Sequence, residues 1–148
     1  MNTIKICFAD DIEAPEAKLE RSVEDMFRVL SPVFNLAERN WKPQMDMNET
    51  PEQIIIVAEV AGVDKEDLEV EISSRAVRIR ATRIPRSCSP DATYRLAEIQ
   101  YGKFERILFL PAPIDPEIVS ASCADGMLEI RLAKQPVDRI RKITVTEG

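Results

Sequence analysis

Tyr101-Gly102-Lys103-Phe104-Glu105-Arg106-Ile107-Leu108-Phe109-Leu110-Pro111, and then Val119-Ser120-Ala121-Ser122-Cys123-Ala124-Asp125-Gly126-Met127-Leu128-Glu129-Ile130-Arg131-Leu132-Ala133-Lys134, decide the fold of this chain. Leu128, Ile130 and Leu132 alternate with Glu129, Arg131 and Ala133, the period-two pattern of a strand with one buried face. Asp125-Gly126 readily supplies positive φ, so Val119–Ala124 and Met127–Ala133 are expected to form a hairpin. Upstream, Leu110-Pro111-Ala112-Pro113 ends the apolar run at Phe109, because proline has no N–H for a ladder and restrains the residue before it.

Working outward, Leu68, Val70 and Ile72 face one way, as do Val77, Ile79 and Ala81 on the return, with Ser73–Ala76 as the turn. That register sets Glu71 opposite Arg78 and Glu69 opposite Arg80, so the charges pair on the exposed face. A phosphate-binding stripe of Arg75, Arg78, Arg80, Arg83 and Arg86 is thereby half neutralised. Before this hairpin, Ile54-Ile55-Ile56-Val57 reads as a strand covered on both faces, preceded by the turn signal Glu49-Thr50-Pro51-Glu52.

Between the two hairpins, Ile84–Ile99 is long, polar and broken by Pro85 and Pro90. A loop of this length needs a job or a strand of its own. Only Tyr94-Arg95-Leu96 suits pairing, and if it joins another subunit's sheet the loop is a dimerisation arm.

The ends differ in character. Ile4, Ile6 and Phe8 alternate with Lys5 and Cys7, which suits either a short strand arm or a disordered terminus. From Ala14 to Leu36, the residues Leu19, Val23, Met26, Phe27 and Leu30 follow helical spacing, with Pro15 in a first turn and Ser31-Pro32 as a stop. This helix either packs on its own domain or is a mobile amphipathic segment that meets other subunits or unfolded chains. After Lys134 the chain reads as a linker ending on Ile143-Thr144-Val145, with nothing nearby in sequence to bury its apolar pair.

Composition excludes more than it specifies. The 148 residues suit one compact domain with a tail or two, and a net charge of −6 with 5% aromatics disfavours nucleic acid and anionic membranes as partners. There is no histidine, which removes the usual general base and the commonest metal ligand. The four glycines are far apart, so no phosphate-cradling loop is built from them. Cys7, Cys88 and Cys123 are dispersed and odd in number, which fits reduced thiols in a cytosol, Cys88 being the more reactive in its loop. No apolar run reaches membrane-spanning length, and Asp10-Asp11 interrupts any signal peptide. The expectation is a cytoplasmic protein that is not an enzyme and needs no cofactor or metal.

Trp41 with Pro43, Glu49-Thr50, Ala58-Glu59 through Gly62-Val63-Asp64-Lys65-Glu66-Asp67, Tyr101-Gly102-x-Phe104-x-Arg106, Leu110-Pro111, Ile118-x-x-Ala121, Asp125-Gly126-Met127-Leu128 and Lys134 together resemble the α-crystallin domain of the small heat-shock proteins. The resemblance covers Trp41 to Lys134. Ile143-Thr144-Val145 is similar to that family's I-x-I/V anchor, and the long loop is similar to that of the bacterial and plant branch. Ala61 stands where the family usually has proline, and Asp125 where asparagine is common.

The resemblance implies an all-β, immunoglobulin-like β-sandwich at 41–134, with a partly helical N-terminal arm at 1–40 and a C-terminal extension at 135–148. It implies an ATP-independent holdase that binds unfolding clients and works as a dynamic homo-oligomer of dimers. Tyr94, Leu96 and Arg106 fall on the dimer contact. Leu68, Val70, Ile118 and Ser120 fall on the sheet edges that accept the anchor Ile143-x-Val145 from another subunit, and Ile4-Lys5-Ile6 has the same anchor pattern. Leu19, Val23, Phe27 and Leu30 become the client-binding stripe. Two other readings stand beside it. One is a co-chaperone or scaffold module for one folded partner; the other is a carboxylate hydrolase using Asp64 or Glu66, acids that more simply cover a solvated turn.

Overall fold

In the computed structural model, which describes residues 4–12, 41–136 and 145–146, Leu128, Ile130 and Leu132 are fully buried and Arg131 between them is exposed. The alternation read from sequence is thus the inward face of a strand. Among the described residues, eight strands run in order: β1 (Lys5–Phe8), β2 (Met45–Glu49), β3 (Gln53–Glu59), β4 (Glu69–Ile72), β5 (Ala76–Arg83), β6 (Gly102–Phe109), β7 (Ile114–Ala124) and β8 (Met127–Lys134). They form two four-stranded sheets, β1-β4-β5-β6 and β2-β3-β8-β7. A single core cluster takes side chains from both, including Val70, Ile72, Val77 and Ile79 from one and Ile54, Ile56, Ile130 and Leu132 from the other, so the sheets form a sandwich.

Both expected hairpins are present. β7 and β8 turn at Asp125 (φ 52°) and Gly126 (φ 78°), two left-handed residues that suit the twist of the flanking strands. A Cβ on Gly126 would stand 2.9 Å from the Cβ of Ala61, so the glycine also permits a close approach. β4 and β5 pair with Glu69 opposite Arg80 and Glu71 opposite Arg78, the register expected. Their turn is held by the buried Ser73 hydroxyl, which accepts the amide of Ala76 at 3.0 Å. β6 ends at Phe109, before Leu110-Pro111.

β3 differs from the expectation of a strand covered on both faces. Ile54, Ile56 and Ala58 are fully buried, whereas Ile55 and Val57 are half-buried. Ile55 lies between Asn48 and Arg131, and Val57 between Asp46 and Glu129, so the outer face is shaded by polar stems instead of sealed by a second layer. The expected helix over 14–36 lies outside the described residues.

Cross-sheet bonds fix how the edges align. Trp41, just ahead of β2, donates its indole N–H to the Gly102 carbonyl at 2.9 Å and meets the Phe104 ring edge-on at 4.8 Å, while the Arg83 guanidinium lies 3.6 Å over its face. Arg106 on β6 donates to the Pro43 carbonyl at 2.8 Å. At the other side, the Ile114 amide that starts β7 bonds to Ser74 in the β4–β5 turn. The β2 edge therefore lies over β6, and the β7 edge over β4 and β1.

Candidate functional site

Among the described residues, two surfaces leave chemistry unsatisfied. The first is the pair of sheet edges formed by β1–β4 and β7. β1 pairs with β4 in parallel, Lys5 opposite Glu69, Ile6 opposite Val70, Cys7 opposite Glu71 and Phe8 opposite Ile72, and the Ala9 amide extends the ladder to the Ile72 carbonyl at 3.0 Å. This resolves the alternatives left open for Ile4–Phe8 in favour of an ordered strand. Ile4 and Ile6 pack against the core cluster.

Of the residues expected to accept an anchor, Leu68 and Val70 face the core and are buried, while Ile118 and Ser120 face outward on β7 and are exposed. The core side of β7 is carried by Val119, Ala121 and Cys123, each half-buried against the cluster. A register shift between Ile114 and Val119 precedes this stretch, at Asp115-Pro116, where proline cannot extend the ladder. Among the described residues β7 has one strand neighbour, β8, and none of them forms a ladder on its other edge.

The second surface is the segment 84–100. Every residue in it is exposed, and it forms no strand; a turn closes with the Ala92 amide on the Ser89 carbonyl at 2.9 Å. Ile84, Tyr94, Leu96 and Ile99 are 61 to 73% exposed. The Tyr94 hydroxyl lies 3.4 Å from the Cys88 thiol, and hydrogen bonding to that thiol, then its charge when ionised, raises the phenol above its ordinary pKa. Arg106, expected at a dimer contact, is half-buried with one nitrogen on Pro43. Leu19, Val23, Phe27, Leu30 and Ile143 lie outside the described residues; Val145 is 85% exposed.

The outer face of the first sheet carries charge that is already matched. Arg78 bonds Glu71 at 2.6 Å, and Arg80 bonds Glu71 at 2.9 Å and Glu69 at 3.1 Å. Asp64, Glu66 and Asp67 sit exposed in and beside a 3₁₀ turn, Lys65–Asp67. Among the described residues, no group of three or more His, Cys, Asp or Glu side chains is placed to hold a metal ion, and no helix is long and apolar enough to cross a membrane. Sequence reasoning missed the clamp of Trp41, Pro43, Arg83 and Arg106. Its two hydrogen bonds join residues 61 and 63 apart in the chain, so no local pattern links its members.

A family model described as Hsp20/alpha crystallin family matches residues 46–146. The chain belongs to that family. Hsp20 proteins are small heat-shock chaperones, so the stress-response role is that of the family, which is not one of enzymes. Small heat shock protein C2 of Rickettsia felis is 28% identical over 114 residues, 77% of this chain and 74% of that protein. The 22.7 kDa class IV heat shock protein of Pisum sativum is 30% identical over 124 residues, 79% of this chain but 63% of that one. Among solved structures, a small heat-shock protein from Xylella fastidiosa superposes with a TM-score of 0.61 at 30% identity, covering 73% of this Hsp20 chain and 99% of that one. Heat shock protein 16.0 from Schizosaccharomyces pombe gives 0.62 at 25% identity, with 73% and 100% covered. The fold is the α-crystallin β-sandwich.

Proposed function

We propose that this chain is an ATP-independent holdase that binds unfolding proteins in the cytoplasm and keeps them from aggregating, as a dynamic homo-oligomer of dimers. The observation that carries this reading is the set of large apolar side chains left in water by 84–100. Three of them, Tyr94, Leu96 and Ile99, fall within six residues of chain, and large apolar side chains exposed together mark an interaction surface. The division of labour is an arm at 1–40, a sandwich body at 41–134 and an extension at 135–148.

In this account Tyr94-Arg95-Leu96 adds to an open sheet edge of a second copy, with Arg106 at the same contact. The extension then carries Ile143 and Val145 of one subunit to the groove between the β4 and β7 edges of another. Leu68 and Val70 form its floor there, and Ile118 and Ser120 its outer rim. Burying two such side chains gives roughly 3 to 6 kcal/mol gross. Ordering each linker residue costs about 1 to 2 kcal/mol. A single tail contact is therefore weak, and the assembly is held by many that open independently. When they open, Leu19, Val23, Phe27 and Leu30 become available to clients.

The test is light scattering of a heat-labile protein warmed with and without this chain in the absence of nucleotide, alongside the chain's own mass by multi-angle scattering. Suppression at near-stoichiometric ratios by an oligomer is the expected result. A stable dimer that suppresses nothing overturns the holdase and leaves the binding of one specific folded partner.

A further inference from the structure

The β4 edge that the proposed anchor needs is already filled from within. A strand edge has one row of free N–H and C=O groups, so it accepts one extended segment at a time. Here that segment is Lys5–Phe8, parallel to β4, with the ladder carried on by Ala9. The side chains that secure it are Ile4 and Ile6, packed against the same core cluster that contains Leu68 and Val70.

The occupant and the tail have the same design. Ile4-Lys5-Ile6 and Ile143-Thr144-Val145 are both an apolar pair separated by one polar residue, a spacing that in an extended strand puts two side chains on one face. They differ in the middle residue. Lys5 lies 3.6 Å from Glu69, which is also paired with Arg80, whereas Thr144 brings no charge. Val145 stands 85% exposed while Ile6 is half-buried.

We propose that residues 4–8 are a built-in competitor for the anchor groove, so that the tail of a second copy docks only on subunits whose β1 has left β4. The inference rests on the tail docking proposed above and adds a gate to it. β1 is suited to leaving. It is four residues long, sits at the end of its sheet, and leaves Phe8 58% exposed and the Lys5–Glu69 pair in solvent. It is equally suited to returning, because it is tethered to the groove it fills and the tail comes from another molecule. A ligand's apparent affinity falls by the fraction of sites open to it. Seated β1 therefore weakens every tail contact by the same factor and keeps part of the population free of tails.

The experiment measures binding of a fluorescent peptide of residues 137–148 to the full-length chain by anisotropy, for the wild type, for Ile4→Glu with Ile6→Glu, and for Lys5→Glu. The double variant unseats β1 and is expected to bind the peptide about tenfold more tightly or better. Lys5→Glu alters one exposed side chain outside the core and is expected to give a gain of about twofold. In the wild type, saturating peptide is expected to speed hydrogen exchange at the amides of Ile6 to Ala9. Equal affinity for all three chains, or unchanged exchange at those amides with peptide bound, overturns the competition and leaves tail docking standing. Binding to none of the three overturns tail docking and the competition with it.

Discussion

The β4–β5 hairpin and the segment that follows it are consecutive in the chain and opposite in character. From Leu68 to Ala81 every apolar side chain finds a place in the core, and the glutamates and arginines between them pair across the strands. From Ile84 to Ile99 the apolar side chains are in water and no backbone ladder forms. The first segment completes itself within one copy. The second leaves its large apolar side chains uncovered, and the proposed contact with a second copy falls there.

If the body is self-sufficient, the largest losses come from breaking it. Ile130→Ala empties a fully buried site and is expected to lower the unfolding free energy by about 2 to 5 kcal/mol, read as a shift of the urea midpoint. Gly126→Ala is next, at about 1 to 3 kcal/mol, because φ is 78° and the new Cβ meets Ala61, whose Cβ and Cα lie 2.9 and 3.1 Å away. The Glu71–Arg78 pair, with side chains 22 and 23% exposed, is expected to show a coupling of about 0.5 to 1 kcal/mol in a double-mutant cycle. A cycle that returns zero would make the cross-strand charges a device for solubility alone. Smallest is Tyr94→Ser with Leu96→Ser, expected to change the stability of the body by under about 0.5 kcal/mol.

How much of this was legible in the sequence follows the same divide. The β4–β5 register and the Asp125-Gly126 turn were readable because alternation and turn chemistry act within a few residues. On β3, Ile55 and Val57 are as apolar as Ile54 and Ile56, so sequence alone does not distinguish its two faces; that Arg131 and Glu129 lie beside the outer pair depends on which strand pairs with β3. Ile4–Phe8 alternates, yet five residues do not say what they pair with, and the parallel ladder to β4 is a contact across more than sixty residues. Arg106 was marked by the resemblance alone, and its bond to Pro43 is a tertiary closure that no local pattern announces. On β7 the alternation itself separates Ile118 and Ser120 from Val119 and Ala121, but which set faces inward depends on the register shift at Asp115-Pro116.

The most direct test of a body that needs no partner and a loop that does is the mass of the full-length chain carrying Tyr94→Ser and Leu96→Ser, by multi-angle light scattering, beside its thermal unfolding. The expected result is a smaller particle than the wild type with an unfolding midpoint that does not move. A particle of unchanged mass would contradict it, and the segment 84–100 would then be a solvated connection between two strands.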